Sequence, residues 1–148
     1  MNDPEMLVHG TAVAIGGKAV LLRGPPGSGK SDLALRLIDA GARLVADDQT
    51  RVWRDADALM VTAPDTLAGL IEVRGIGIVH ADPLPVARLA LLVDLVAPQH
   101  VERLPEPSSE TIFGLAIPAV AVAPFEASAP IKVRLALAMS AADGTSPS

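Results

Sequence analysis

Along this chain apolar residues come in short bursts of alternating pattern, and the period lengthens to that of a helix in only two places. "TAVAI" (Thr11–Ile15) and "AVLLR" (Ala19–Arg23) flank "GGK", which predicts two strands joined by a glycine hairpin turn. From Lys30 to Ala40 the apolar residues Leu33, Ala34, Leu37 and Ile38 recur at helical spacing, with Asp32, Arg36 and Asp39 between them. Gly41 then suits a C-terminal cap. "ARLVADD" (Ala42–Asp48) resumes as a strand that ends on paired acids. "TRVWRDADALMVTA" (Thr50–Ala63) predicts two strands about an acidic turn at Asp55–Asp57, and "LIEVRGIGIVHAD" (Leu70–Asp82) a strand with a glycine break. "RLALLVDLV" (Arg88–Val96) reads as a buried strand, and "TIFGLAIPAVAVAP" (Thr111–Pro124) as two short strands parted at Pro118. "IKVRLALAMSAA" (Ile131–Ala142) predicts a closing helix, and the tail over residues 143–148 is expected to fray. The expectation is an α/β fold with more strands than helices, forming a single domain over residues 1–142.

Length and composition narrow the function. The 148 residues are half hydrophobic, enough for one domain with a proper core. No apolar run is long enough to cross a bilayer: "VARLALLVDLVA" is broken by Arg88 and Asp94, and "LAIPAVAVAPF" is short and holds two prolines. The start "MNDPEMLV" is acidic and lacks the positive region of a signal peptide. There are no cysteines, which excludes disulfides and thiolate metal sites, so a cytoplasmic setting without membrane contact is expected. A net charge of −5, scattered basic residues, one Trp and two Phe argue against nucleic acid as a partner. A small ligand or another protein is left.

"GPPGSGKS" (Gly24–Ser31) has the Walker A form G-x-x-x-x-G-K-[ST] of a phosphate-binding loop, or P-loop. Glycines let backbone N–H groups converge on phosphate oxygens, and the helix that follows adds a favourable dipole. Gly24, Pro25, Pro26, Gly27, Ser28, Gly29, Lys30 and Ser31 are therefore the candidate nucleotide-binding residues. Lys30 would reach the β- and γ-phosphates and the Ser31 hydroxyl would ligate Mg²⁺. An apolar strand before the loop and an amphipathic helix after it are the context this motif requires.

Asp47 and Asp48 close the strand that directly follows the loop helix. In a parallel sheet, neighbouring strands end side by side, so these acids are expected beside the phosphates. One could hold Mg²⁺ through water, and the other could accept a proton from an attacking hydroxyl. A bare acid pair is otherwise a helix cap or a solvated turn. The same duality holds elsewhere: His9 alone is a surface histidine, Glu72 and Arg74 a strand's solvated face, Arg103 a loop charge.

Five segments in order, "HG" (His9–Gly10), "GKS" (ending Lys30–Ser31), "RLVADD" (Arg43–Asp48), "IEVRGIGIV" (Ile71–Val79) and "ERL" (Glu102–Leu104), resemble the catalytic domain of bacterial HPr kinase/phosphorylase. The resemblance covers His9 to Leu104 well. It implies a P-loop-containing α/β fold of the HPr-kinase and PEP-carboxykinase type, strand-rich, with one P-loop helix. The implied activity is an ATP-dependent protein serine kinase that phosphorylates HPr, the phosphocarrier of the phosphotransferase system, with phosphorolysis as the reverse reaction. Asp48 matches the family's catalytic aspartate, and Lys30, His9 and Arg103 match further active-site positions. Ser31 and Glu72 match its Mg²⁺ ligands, with Asp47 as a further metal candidate. ATP and Mg²⁺ are the implied substrate and cofactor, HPr the implied partner, and a homo-hexamer the implied assembly.

The chain also departs from that family. It is expected to lack the family's N-terminal domain and longer C-terminal helical tail, as in short forms from α-proteobacteria. "HADPLPVARLA" is shorter than the family's loop at that place, and "APFEASAPIK" replaces a basic, glycine-containing stretch tied to dephosphorylation. Two other classes of function stay open at this point: a small-molecule kinase on the same scaffold, and a nucleotide-sensing module with little turnover.

Overall fold

The computed structural model describes residues 4–144, with side-chain surroundings through residue 140. The first hairpin forms as expected. β1 (Glu5–Ile15) and β2 (Lys18–Arg23) turn at Gly16 and Gly17, both at positive φ (59° and 84°), the form that matches the twist of paired strands. Then follow α1 (Lys30–Asp39), β3 (Arg43–Ala46), β4 (Gln49–Asp55), β5 (Ala58–Thr62), β6 (Leu70–Val73) and β7 (Gly77–His80). The chain closes with β8 (Val86–Leu95), β9 (Ser108–Ile112), β10 (Leu115–Val122) and α2 (Ala129–Gly144). The fold is α/β and strand-rich.

β1 is the hub of the sheet. One of its edges pairs with β2 through Gly10–Ile15, and the other is divided between β4, through Glu5–His9, and β3, through Ala12–Ala14. β3 and β4 thus run end to end along β1, with Asp47 and Asp48 as the two residues between them. On its far side β2 pairs in parallel with β8, β8 in parallel with β10, and β10 antiparallel with β9. The β4–β5 hairpin joins β1 to β8 and closes a ring, β1-β4-β5-β8-β2. β6 and β7 form a separate two-stranded sheet, anchored in the core by Ile71.

The period-two pattern of β2 divides the core. Val20 and Leu22 face the helices with Leu33, Leu37 and Val133, whereas Ala19 and Leu21 face the inside of the ring with Val52, Leu59 and Val61. β8 serves both sides by slipping register at Ala90. Leu89 points into the ring, but Leu91, Val93 and Leu95 pack on the helices, because one bulged residue turns every later side chain to the other face. α1 ends as its sequence predicts: Gly41 takes φ 111°, and the N–H groups of Gly41 and Ala42 return to the carbonyls of Ile38 and Leu37. Arg134 of α2 caps the same end by donating to the Ala40 carbonyl at 2.7 Å.

Four expectations are corrected. β1 begins at Glu5 and not at Thr11, because the exposed Glu5–His9 half gains a partner in β4, which is distant in sequence. The last two strands part at Phe113–Gly114, both at positive φ (48° and 82°), and not at Pro118. Pro118 stands inside β10, just before pairing with β8 begins at Ala119, a margin where a strand tolerates a missing N–H. The acid-bearing β3 runs in the same direction as β2 but is not its neighbour, since β1 lies between them. α2 is longer than Ile131–Ala142, and of the tail over 143–148 everything past Gly144 lies outside the described residues. Among the described residues no helix is long and apolar enough to cross a membrane.

Candidate functional site around the glycine-rich loop

The Gly24–Gly29 loop leaves β2 at the carboxyl edge of the sheet and enters α1 with Gly29 at the N-cap, φ 102°. A side chain at Gly29 would be strained by that φ and would make the Phe125 ring shift. A Cβ there would lie 2.9 Å from the Phe125 ring and 3.3 Å from Pro124. Lys30 is 92% buried (8% exposed), and its ammonium donates to the carbonyls of Gly24 at 2.7 Å and Pro25 at 3.1 Å. The cation is thereby drawn inside the curve of the loop. Ser28 Oγ is buried there without a hydrogen-bond partner.

Asp47 organises the flank of the loop on the β3 side. It is 7% exposed, and three donors from three elements converge on its carboxylate. Ser31 of α1 donates its hydroxyl to Oδ1 at 2.7 Å, Thr11 of β1 donates to the same oxygen at 3.0 Å, and the Glu72 N–H of β6 donates to Oδ2 at 3.1 Å. This settles how acids two strands away from β2 come to the loop: the Ser31 side chain spans the interval that β1 imposes. A buried carboxylate is costly unless it is hydrogen-bonded, and here three donors meet it.

Asp48 differs in every respect from its neighbour. It is exposed and sits at φ 67° in a three-residue turn closed by the Gln49 N–H on the Asp47 carbonyl at 2.7 Å. Two further bonds hold that uncommon backbone in place. The Asp48 N–H donates to Thr11 Oγ1 at 3.1 Å, and its carbonyl accepts the Gly10 N–H at 2.9 Å. Strain held by surrounding bonds is a feature of functional positions. His9 lies on β1 opposite Gln49, so the strand register sets it next to Asp48, exposed.

The other expected residues lie nearby with looser ties. Glu72 meets Asp47 through its backbone N–H, while its own carboxylate is exposed. Arg103 is exposed on the connection from β8 to β9, at the same edge, and forms no hydrogen bond or ion pair among the described residues. Among the described residues no three His, Asp or Glu side chains converge as a metal-binding group.

Two residues escape the sequence reading. Thr11 is fully buried and joins both aspartates; the signal for it was a hydroxyl opening the apolar run "TAVAI". Arg23, the last residue before Gly24, makes a two-pronged ion pair with Asp94 of β8 (2.9 and 3.1 Å) and bonds Glu110 of β9 at 2.9 Å. It ties the strand that carries the loop to β8 and β9. The hydrogen bond from Arg23 holds the Glu110 carboxyl below its ordinary range, against a smaller opposing effect of burial.

Comparison with known proteins accords with this geometry. Residues 3–133 match the family described as the HPr Serine kinase C-terminal domain. HPr kinase/phosphorylase of Limosilactobacillus reuteri (strain DSM 20016) is 38% identical over 131 residues, covering 80% of this chain and 41% of the relative. That of Geobacillus thermodenitrificans (strain NG80-2) is 40% identical over 100 residues, covering 62% and 32%. The chain therefore spans less than half the length of the curated relatives it matches. The structure of the Hpr(Ser) kinase/phosphatase from Coxiella burnetii superposes with a TM-score of 0.83 at 24% identity, over 95% of this chain and 99% of that one, and so shares its fold. On the extent of these matches, the chain belongs to the family of HPr Serine kinase C-terminal domains.

Proposed function

We propose that this domain transfers the γ-phosphoryl group of ATP to a serine hydroxyl of HPr. The observation that carries the proposal is the convergence of Ser31, the last residue of the glycine-rich motif, on the Asp47 carboxylate at 2.7 Å, with the exposed Asp48 immediately beside it. The loop N–H groups and the Lys30 ammonium would hold the phosphates, and the partnerless Ser28 hydroxyl is a further donor facing the same loop. Ser31 Oγ would ligate Mg²⁺ directly, and the Asp47 carboxylate, whose Oδ1 already accepts from Ser31 and Thr11, would hold it through water, hard oxygen donors that suit this ion. Such an ion takes only one or two protein carboxylates beside waters and phosphates. Bound there, Mg²⁺ would neutralise charge on the phosphate oxygens.

Asp48 would take the proton of the attacking serine hydroxyl. Its exposure permits approach of an acceptor from solvent, and its pinned backbone fixes the carboxylate's origin. His9 stands beside it, and Arg103 would approach the transferring group from its exposed place between β8 and β9. A protein acceptor is favoured over a small molecule by the surface next to Asp47. The β6–β7 hairpin tied to it presents Ile76 (77% exposed) and Ile78 (70%) to solvent, an apolar face suited to another protein. The kinase direction is favoured over phosphorolysis, because Glu126, bonded to Lys132 at 3.1 Å, supplies an acid where the resemblance expects a basic stretch. Cytoplasmic action and homo-hexameric assembly follow the family resemblance.

The test is intact-mass spectrometry of HPr incubated with the protein and Mg·ATP. One phosphate on a serine is expected, and none with Lys30→Ala. ATP binding without any transfer would discard HPr as the acceptor and leave a small-molecule kinase or a nucleotide sensor.

A further inference from the structure

The flank of the loop opposite Asp47 carries an aromatic ring that phosphoryl transfer leaves unused. β2, β8 and β10 are parallel neighbours, so the segments after them gather at one edge. The order β3-β1-β2-β8-β10 sets Asp47–Asp48 on one side of the glycine-rich loop and the residues after β10 on the other. Phe125 is in that second segment. Its ring is 71% exposed and lies directly on Gly29, the N-cap of α1.

The ring is held out by its neighbours and not by its own burial. Arg36 of α1 donates to the carbonyls of Pro124 and Glu126 on either side of it. Glu126 is bonded to Lys132, and the buried Ala123 and Ala129 anchor the two ends of the segment. A flat apolar surface is thus fixed in position while one face stays open. It is one of only three aromatic residues in the chain.

The geometry of transfer says what would cover it. In-line displacement places the attacking and leaving oxygens on opposite sides of the moving phosphorus. With the acceptor hydroxyl at Asp48, the nucleoside diphosphate departs away from Asp48, toward the β10 flank. We propose that Phe125 is the platform on which the base of the nucleotide stacks, an inference that rests on reading the Gly24–Ser31 loop as the seat of the ATP phosphates. Stacking on an aromatic ring is tolerant of base identity, so purines in general would be accepted.

Titration calorimetry with Mg·ATP and with Mg·tripolyphosphate, which has the phosphates but no base, tests this on the wild type, Phe125→Ala and Phe125→Tyr. The wild type is expected to bind ATP roughly tenfold more tightly than tripolyphosphate. Phe125→Ala should weaken ATP about tenfold and leave tripolyphosphate unchanged, and Phe125→Tyr should restore ATP. Unchanged ATP affinity in Phe125→Ala, with tripolyphosphate still bound, overturns the stacking role and leaves the phosphate site standing; a raised KM for the acceptor protein would then assign the ring to that protein. Equal weakening of both ligands overturns it too, by showing that the ring only props the loop. If the wild type binds neither ligand, the phosphate site itself falls, and the stacking role with it.

Discussion

On the β3 flank of the glycine-rich loop three donors close on the buried carboxylate of Asp47, whereas on the β10 flank the Phe125 ring stands open to solvent and only its neighbours' carbonyls are tied down. The two flanks sit on one sheet edge, a few strands apart, and use different physics. A charge acting on a phosphoryl group must not drift, and a buried carboxylate filled by a serine, a threonine and a backbone N–H cannot. A planar base needs only a flat face at the correct height, which a pinned backbone provides without directing any polar atom. The same division recurs within the acid pair, where Asp47 supports structure and Asp48 meets the solvent.

That contrast can be broken or sharpened by four substitutions. Asp48→Asn should reduce phosphoryl transfer to HPr by about 10²- to 10⁴-fold while unfolding free energy stays within about 0.5 kcal/mol, since asparagine tolerates the positive φ as aspartate does. A marked loss of stability would show that Asp48 is structural after all. Asp47→Ala should cost about 2–3 kcal/mol in urea unfolding, because it strands the Ser31 and Thr11 hydroxyls and the Glu72 N–H. Thr11→Val, nearly equal in shape, should cost about 1–2 kcal/mol by leaving the Asp48 N–H without its acceptor. If transfer also falls, the turn geometry and the chemistry are coupled.

Glu110→Gln should have the smallest effect, below about 1 kcal/mol, since the carboxylate is 46% exposed and screened. Its signature is in the pH dependence. Arg23 lowers this carboxyl from its ordinary 4.5, so the folded chain holds the proton less tightly than the unfolded one. The contribution is complete above that ordinary value and is lost as pH falls through the lowered one. Stability curves of the variant and the wild type should therefore converge in acid; a constant offset across pH would exclude the ion pair as its cause.

Local rules carried much of this in advance. The Gly16–Gly17 turn, α1 with its Gly41 cap and the buried strand β8 each rest on a few consecutive residues, and each appears where their pattern puts it. Pairings between distant segments were not legible. Nothing in "EMLVH" announces β4 as a partner, and nothing in "LVADD" announces that β1 stands between it and β2. For the site, the motif ending at Ser31 and the acid pair were plain, but their direct contact was not, because Ser31 reads as a ligand and not as a donor to Asp47. Arg23 was read as the last residue of a strand; its partners lie 71 and 87 positions away.

The bond between β2 and β8 has a consequence for how the chain is made. The glycine motif and both aspartates are in the chain by residue 48, yet one edge of β2 pairs with residues 86–95, and the Phe125 flank comes later still. Long-range strand pairing is slow, because the intervening loop must be closed before any contact rewards it. A nascent chain halted at Leu84 would carry the glycine motif and the Asp47 contacts with Thr11, Ser31 and Glu72, but not the strand that flanks β2 on its other side. The β8 side of the loop's strand is therefore completed only after β3 and both aspartates have been made.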